Sequence, residues 1–309
     1  MSETTASLRR KINSAGDIQS VVQTMKALAA SSIGQYEKSV RALDNYYLTV
    51  ELGLGVCFRE SAPTAAITEQ KGKKNAGTIG AVVFGSDQGL VGQFNDIVAD
   101  YAVKKLAVLP GKAQIWAVGE RVHARLEAEN LLINGLFTVP NSVKAIIPLV
   151  GQILFESEKL QSQGKSHELY LFYNQPKSRT AYEPVSQRLL PLDEIWLREL
   201  AKFPWPTKSL LPEIIGNSTE TLRALIREYL FVSLFRACAD SLASENASRL
   251  AAMQRADKNI DELLEELSGT FYRLRQSGID EELFEVVSGF EALSQLHNPA
   301  HSEDNRAQK

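Results

Sequence analysis

From Leu8 to about Val56 the chain has no proline, and apolar residues recur at Ile18, Val22, Met25, Ala29, Ile33, Tyr36, Val40, Leu43, Tyr47 and Val50. Steps of three or four hold these side chains on one side of an α-helix, the pattern of a coiled-coil seam. At 1.5 Å per residue the helix extends about 70 Å, beyond the width of a small domain, so it must protrude. Gly53 and Gly55 and the polar stretch SAPTAAITEQKGKKNAGT (61–78) mark its end and read as a linker. A second such helix opens at GNSTETLRALI, where Asn217 can cap it and Glu220 can reach back. Its stripe runs through Leu222, Ile226, Tyr229, Leu242, Leu250, Met253, Ala256, Ile260, Leu263, Leu267, Phe271, Leu274, Leu283, Val287 and Phe290, with no proline before Pro299. Neither helix can bury its stripe alone. Antiparallel pairing of the two, with the intervening chain folded at one end, satisfies both.

That intervening chain changes rhythm. The strand-like runs IGAVVF (79–84), QIWAVG (114–119), GLFTV and ELYLFYN (168–174), and a last one through RLLPL (188–192), alternate with helical stretches ending at Leu109, from Glu120 to Asn130 and from Asn141 to Gln163. Alternation with short loops predicts a largely parallel sheet covered by helices. The expected organisation is an N-terminal coiled-coil helix over 1–60, a linker over 61–78, a central α/β domain over 79–205, a C-terminal coiled-coil helix over 206–296 and a polar tail over 297–309.

Composition narrows the function. The 309 residues carry 34 Lys+Arg against 37 Asp+Glu, a net charge of -3, so there is no basic excess for nucleic acid. Only Cys57 and Cys238 occur, which excludes a disulfide framework, a CxxC pair and a cysteine zinc cluster and fits a reducing compartment. The opening MSETTASLRRKINS lacks the apolar core of a signal peptide, and no segment is apolar enough to span a bilayer, so membrane association is expected only through a partner.

Candidate chemistry is sparse. The turn GSDQGLVGQFN (85–95) lies between a strand and a helix, where phosphate could bind. It matches neither GxGxxG nor GxxxxGK[ST], no Lys follows the last Gly, and Asp87 would repel phosphate. We read it as a tight turn in which Gly89 and Gly92 adopt backbone angles other residues avoid. His123, His167, His297 and His301 are scattered, giving no metal site, and Ser86 in GSDQG does not fit a nucleophile elbow. Asp261, Glu262, Glu265 and Glu266 fit a solvated helix face. No catalytic residue and no cofactor are expected.

The blocks LRRKINSAGDIQSVVQTMKALAAS (8–31), GSDQGLVGQFN (85–95), SQRLLPL (186–192), SENASRLAAMQRADKN (244–259) and LRQSGIDEELFEVVSGFEAL (274–293) resemble, in the same order, the motifs of the gamma subunits of F-type ATP synthases. The resemblance implies two terminal helices in an antiparallel coiled coil, with a Rossmann-like α/β domain between them in sequence. It also implies a non-catalytic rotor shaft that couples proton or sodium flow to the conformational cycle of the beta subunits. The partners it implies are the alpha and beta subunits, epsilon and the membrane c-ring, with the chain peripheral to the cytoplasmic face of the bacterial inner membrane. Carried over by position, Met25 and the pair Arg275 and Gln276 fall at rotor–stator contacts, and Asp87, Gly89 and Gly92 in the foot-domain turn. The stripes and the family geometry together place Met25 beside Leu267–Leu274, and Val40–Val50 beside Ala243–Met253 or earlier. Gln88 replaces a usual basic residue, Val91 a frequent cysteine and Asp280 a usual threonine, which points to a divergent or alternative form; the redox-regulatory cysteine segment of chloroplast relatives has no counterpart. The competing readings are a coiled-coil scaffold with an α/β head and an α/β enzyme with helical arms.

Overall fold

A computed structural model describes residues 4–60, 78–162, 166–177, 181–207 and 212–296; the expected linker and tail lie almost wholly outside these. The elements in order are α1 (Thr5–Glu60), β1 (Thr78–Phe84), α2 (Phe94–Val108), β2 (Lys112–Val118), α3 (Glu120–Ala128), β3 (Ile133–Phe137), α4 (Val143–Ser162), β4 (Ser166–Pro176), β5 (Tyr182–Leu190), α5 (Glu194–Lys202) and α6 (Ser218–Leu296). The chain falls into two compact units, one drawn from its ends (up to Thr24 and from Arg255) and one spanning Met25–Gln254.

In the larger unit the strands form one sheet in the order β3-β2-β1-β4-β5, parallel except for the antiparallel β4–β5 pair. Side chains alternate across a strand, so β1 sends Ile79, Ala81 and Val83 to one face and Val82 and Phe84 to the other. The first set packs with Val98, Ala102, Val122 and Leu126 of α2 and α3. The second meets Ile146, Val150 and Ile153 of α4, Leu234, Cys238 and Leu242 of α6 and Tyr36 of α1. Burial on both faces is why β1 reads as a continuous apolar run.

Along α1, Leu8, Ala15, Val22, Ala29, Tyr36, Val50 and Cys57 are buried at seven-residue steps, with half-buried Leu43 filling the gap. A strict seven-residue repeat holds its seam toward a partner only with left-handed supercoiling. In the larger unit that partner is α6, antiparallel: Arg236 pairs with Asp44 at 3.3 Å, the Tyr46 hydroxyl with Glu228 at 2.7 Å, and the Tyr47 ring packs tilted against that of Tyr229. In the smaller unit Gln19 hydrogen-bonds Asp261. Asn217 caps α6, its Oδ1 accepting from the Thr219 N–H at 3.0 Å.

Three expectations need correction. The helix α1 runs through Gly53 and Gly55 instead of ending there. A Cβ on Gly55 would meet the Leu200 carbonyl oxygen at 2.5 Å and one on Gly53 the Leu225 side chain at 3.2 Å, so these glycines allow close approach by α5 and α6. The element α5 was missed in a proline-rich region; Asp193 caps it through the Ile195 N–H, and Leu197 and Leu200 pack against Leu54 and Cys57 of α1. The register also differs. In the larger unit residues 44–47 face 228–236, and continuing that register brings Met25 level with about Met253, not Leu267–Leu274.

Candidate functional site

The β1–α2 turn lies at the carboxyl ends of the parallel strands, where open α/β sheets bind ligands beside the strand from which the order reverses. Here that strand is β1, between β2 and β4. The turn is closed by its own side chains. Asp87 Oδ1 accepts from the Glu120 N–H at the start of α3 (3.0 Å) and Oδ2 from the Val139 N–H (2.9 Å). The carboxylate thus caps the N-terminus of α3 and sets a negative charge in the turn that leads into α2. Its second oxygen holds the Val139 N–H just past the end of β3. The buried Ser86 hydroxyl donates to the Gln88 carbonyl at 2.9 Å and accepts from the Asn95 amide at 2.8 Å, while Asn95 Oδ1 accepts the Ser86 N–H.

Backbone conformation in the turn differs from the sequence expectation at one glycine. Gly92 adopts φ +58° as expected, but the other left-handed residue is Leu90 at φ +63°, not Gly89. The glycines with no room for a side chain are Gly85, where a Cβ would sit 2.3 Å from that of Val122, and Gly119, at φ +112°, where a Cβ would sit 2.7 Å from the Ser86 backbone. Neither was singled out by sequence reasoning.

The helix α6 also reaches the turn. The buried Ser248 hydroxyl donates to the Val91 carbonyl, which also accepts the Phe94 N–H at 3.3 Å. One turn away Glu245 pairs with Arg249 at 2.7 Å, with both side chains largely buried. Burial chiefly raises the Glu245 carboxyl, Asp87 adds to the rise and Arg249 opposes it. Sequence reasoning quoted SENASRLAAMQRADKN only as a motif; the signal it passed over was an acid–base pair four residues apart within a small-residue stretch.

The residues assigned to rotor–stator contact lie in different units. Met25 is half-buried on α1 in the larger one, and Arg275 and Gln276 are exposed on α6 in the smaller one. Beyond them Leu283, Phe284, Val286, Val287, Phe290 and Leu293 are all exposed, Phe284 and Phe290 by 79% and 74%. Asp261, Glu262, Glu265 and Glu266 are solvated as expected, and no cluster of metal-ligating side chains occurs among the described residues.

A family model described as ATP synthase matches residues 4–293. The ATP synthase gamma chain of Ruminococcus albus is 28% identical over 287 residues, covering 91% of this chain and 96% of that one. That of Glaesserella parasuis is 27% identical and covers 93% and 98%. Among solved structures, a chain of the Euglena gracilis mitochondrial ATP synthase OSCP/F1/c-ring assembly superposes with TM-score 0.64 at 15% identity, over 98% of this chain and 99% of that one. A chain of the Tetrahymena thermophila central stalk/c-ring superposes with TM-score 0.51 at 22% identity, over 76% and 99%. The two structures share the fold.

Proposed function

The chain belongs to the ATP synthase family, and we propose that it serves there as the gamma-type central rotor, a non-catalytic shaft that couples ion flow through the membrane ring to the cycle of the catalytic sites. The helices α1 and α6 form the shaft and the α/β domain over 79–205 the head. The alpha and beta subunits enclose the end of α6; epsilon and the c-ring engage the head at the cytoplasmic face of a bacterial inner membrane. A rotor needs no nucleotide chemistry. It needs an asymmetric surface whose contact energy favours a different conformation in each of three otherwise identical sites as it turns.

The observation that carries this reading is the apolar end of α6. Leu283, Phe284, Val286, Val287, Phe290 and Leu293 together exceed what a free helix end leaves in water. A scaffold's coiled coil would end in polar residues, whereas a shaft seated in a sleeve ends in this way. Met25, Arg275 and Gln276 supply stator contacts. A non-catalytic head is supported by the β1–α2 turn, where the Asp87 carboxylate would repel phosphate and Ser248 takes up the Val91 carbonyl.

Co-expression with alpha and beta subunits should yield a complex whose ATP hydrolysis depends on this chain, while the isolated chain neither hydrolyses ATP nor binds it at micromolar concentrations by calorimetry. Turnover by the isolated chain, or failure to co-purify with the hexamer, rejects the rotor reading.

A further inference from the structure

We propose that the β1–α2 turn is a key that fixes the α/β sheet on α6 and passes torque between them, with Ser248 and Asp87 as its positioning residues. This rests on the rotor reading. A helix seated against a sheet by apolar contact is held by a non-directional force. Along its buried length α6 combines Leu234, Cys238 and Leu242, which meet the sheet, with small side chains such as Ala237, Ala239 and Ala243. Apolar packing of this kind resists rotation only through its shape. A hydrogen bond weakens steeply when its angle departs from alignment, so a buried one set off the helix axis opposes rotation directly.

Ser248 makes that bond, and its acceptor is rigid. The Val91 carbonyl is also held by the Phe94 N–H at the start of α2. The turn carrying it is tied to two more parts of the fold, α3 and the β3–α4 connection. Asp87 holds the first N–H of α3 and the Val139 N–H after β3, the Ser86 carbonyl accepts the Arg121 N–H, and Gly85 and Gly119 leave no slack. A tangential load on Ser248 therefore spreads into β1, α2, α3 and the β3–α4 connection instead of bending a loop. Glu245 and Arg249 flank Ser248 on α6, yet Glu245 Oε2 and Arg249 Nε find no partner among the described residues. A buried ion pair left partly unsatisfied contributes little to stability, whereas it favours one orientation over neighbouring ones.

The test uses the full chain assembled with alpha, beta and epsilon subunits and the membrane sector in inverted vesicles. ATP hydrolysis with uncoupler and ATP-driven ion pumping against a gradient are measured on the same preparation. For Ser248→Ala, uncoupled hydrolysis should stay within about twofold of wild type while pumping under load falls about fivefold, the weight of one buried hydrogen bond. Asp87→Ala leaves the α6 surface untouched and should show the same split. Unchanged pumping in both variants, or pumping and uncoupled hydrolysis falling in equal proportion, overturns the key. A wild-type chain that supports no pumping overturns the rotor reading and the key with it, so the two failures are distinguishable.

Discussion

Gly85 and Gly119 are fixed by space, and Gly278 is not. A methyl on Gly85 would lie 2.3 Å from Val122 Cβ and 2.7 Å from Asn95 Oδ1, whereas one on Gly278 would meet nothing within 4 Å. In urea unfolding of the isolated chain, Gly85→Ala should cost about 1–3 kcal/mol by overpacking, while Gly278→Ala within α6 should stabilise by about 0.5–1 kcal/mol. The sequence displayed the turn's glycines but not which were crowded, because crowding at Gly85 comes from Val122 on a helix 37 positions away. Asp87 was legible as hostile to phosphate; that it closes the site with its own carboxylate required the partners Glu120 and Val139. Asp240 is a second residue whose chemistry only the fold reveals. Burial chiefly pushes its carboxyl up to about 6, with Asp44 raising it further and Arg236 opposing. A folded-state pKa above the ordinary value near 3.8 means stability that is full below about pH 4 and is lost as pH rises through about 6. The loss is on the order of 2 kcal/mol. Stability measured at pH 4 and pH 7 should show Asp240→Asn gaining on wild type by that amount at the higher pH; a constant difference between the two proteins would refute the assignment.

At the scale of elements, burial along α6 changes character. From Val232 to Ala239 the helix is buried almost all round, Arg236 alone being partly exposed, because the sheet covers one side and α1 another; from Leu283 to Leu293 it is exposed. Truncation should therefore have opposite readouts at the two ends. Leu234→Ala should cost about 2–5 kcal/mol in the isolated chain, since Leu234 is 0% exposed within a packed cluster. Phe290→Ala should change stability by less than about 0.5 kcal/mol and instead lower the yield of complex with alpha and beta subunits. The sequence made both terminal helices and every strand legible, because the apolar period switches between that of a helix and that of a strand. It misled at Gly53 and Gly55, where the chemistry of a helix end and that of close packing look alike. It missed α5 because nine residues between prolines carry little periodic signal. The stripe also included Ile18, which is 57% exposed, since a step of three or four admits neighbours of the seam that a strict seven-residue step excludes.

At the scale of the whole molecule, α6 is one helix of 79 residues that contributes to both compact units, so its continuity sets what one unit can transmit to the other. Half-buried Leu267 lies in the smaller unit, beyond the part of α6 packed on the sheet. A proline there removes the hydrogen bond to the Leu263 carbonyl and crowds the preceding turn, costing roughly 3 kcal/mol and kinking the axis. Packing at Leu234 and Ser248 remains intact, so the α/β head should still fold. Arg275→Ala removes one exposed charge, and the stator contact proposed for it would contribute only about 0–1 kcal/mol unless water is excluded from it. The two variants therefore separate a mechanical defect from an electrostatic one. In vesicles assembled with alpha and beta subunits and the membrane sector, Leu267→Pro should retain ATP hydrolysis yet lose ion pumping, whereas Arg275→Ala should pump at an altered turnover rate. Normal pumping by the Leu267→Pro complex would mean that α6 is not the transmitting element, and loss of pumping in both would mean that surface charge is needed for coupling as well as helix continuity.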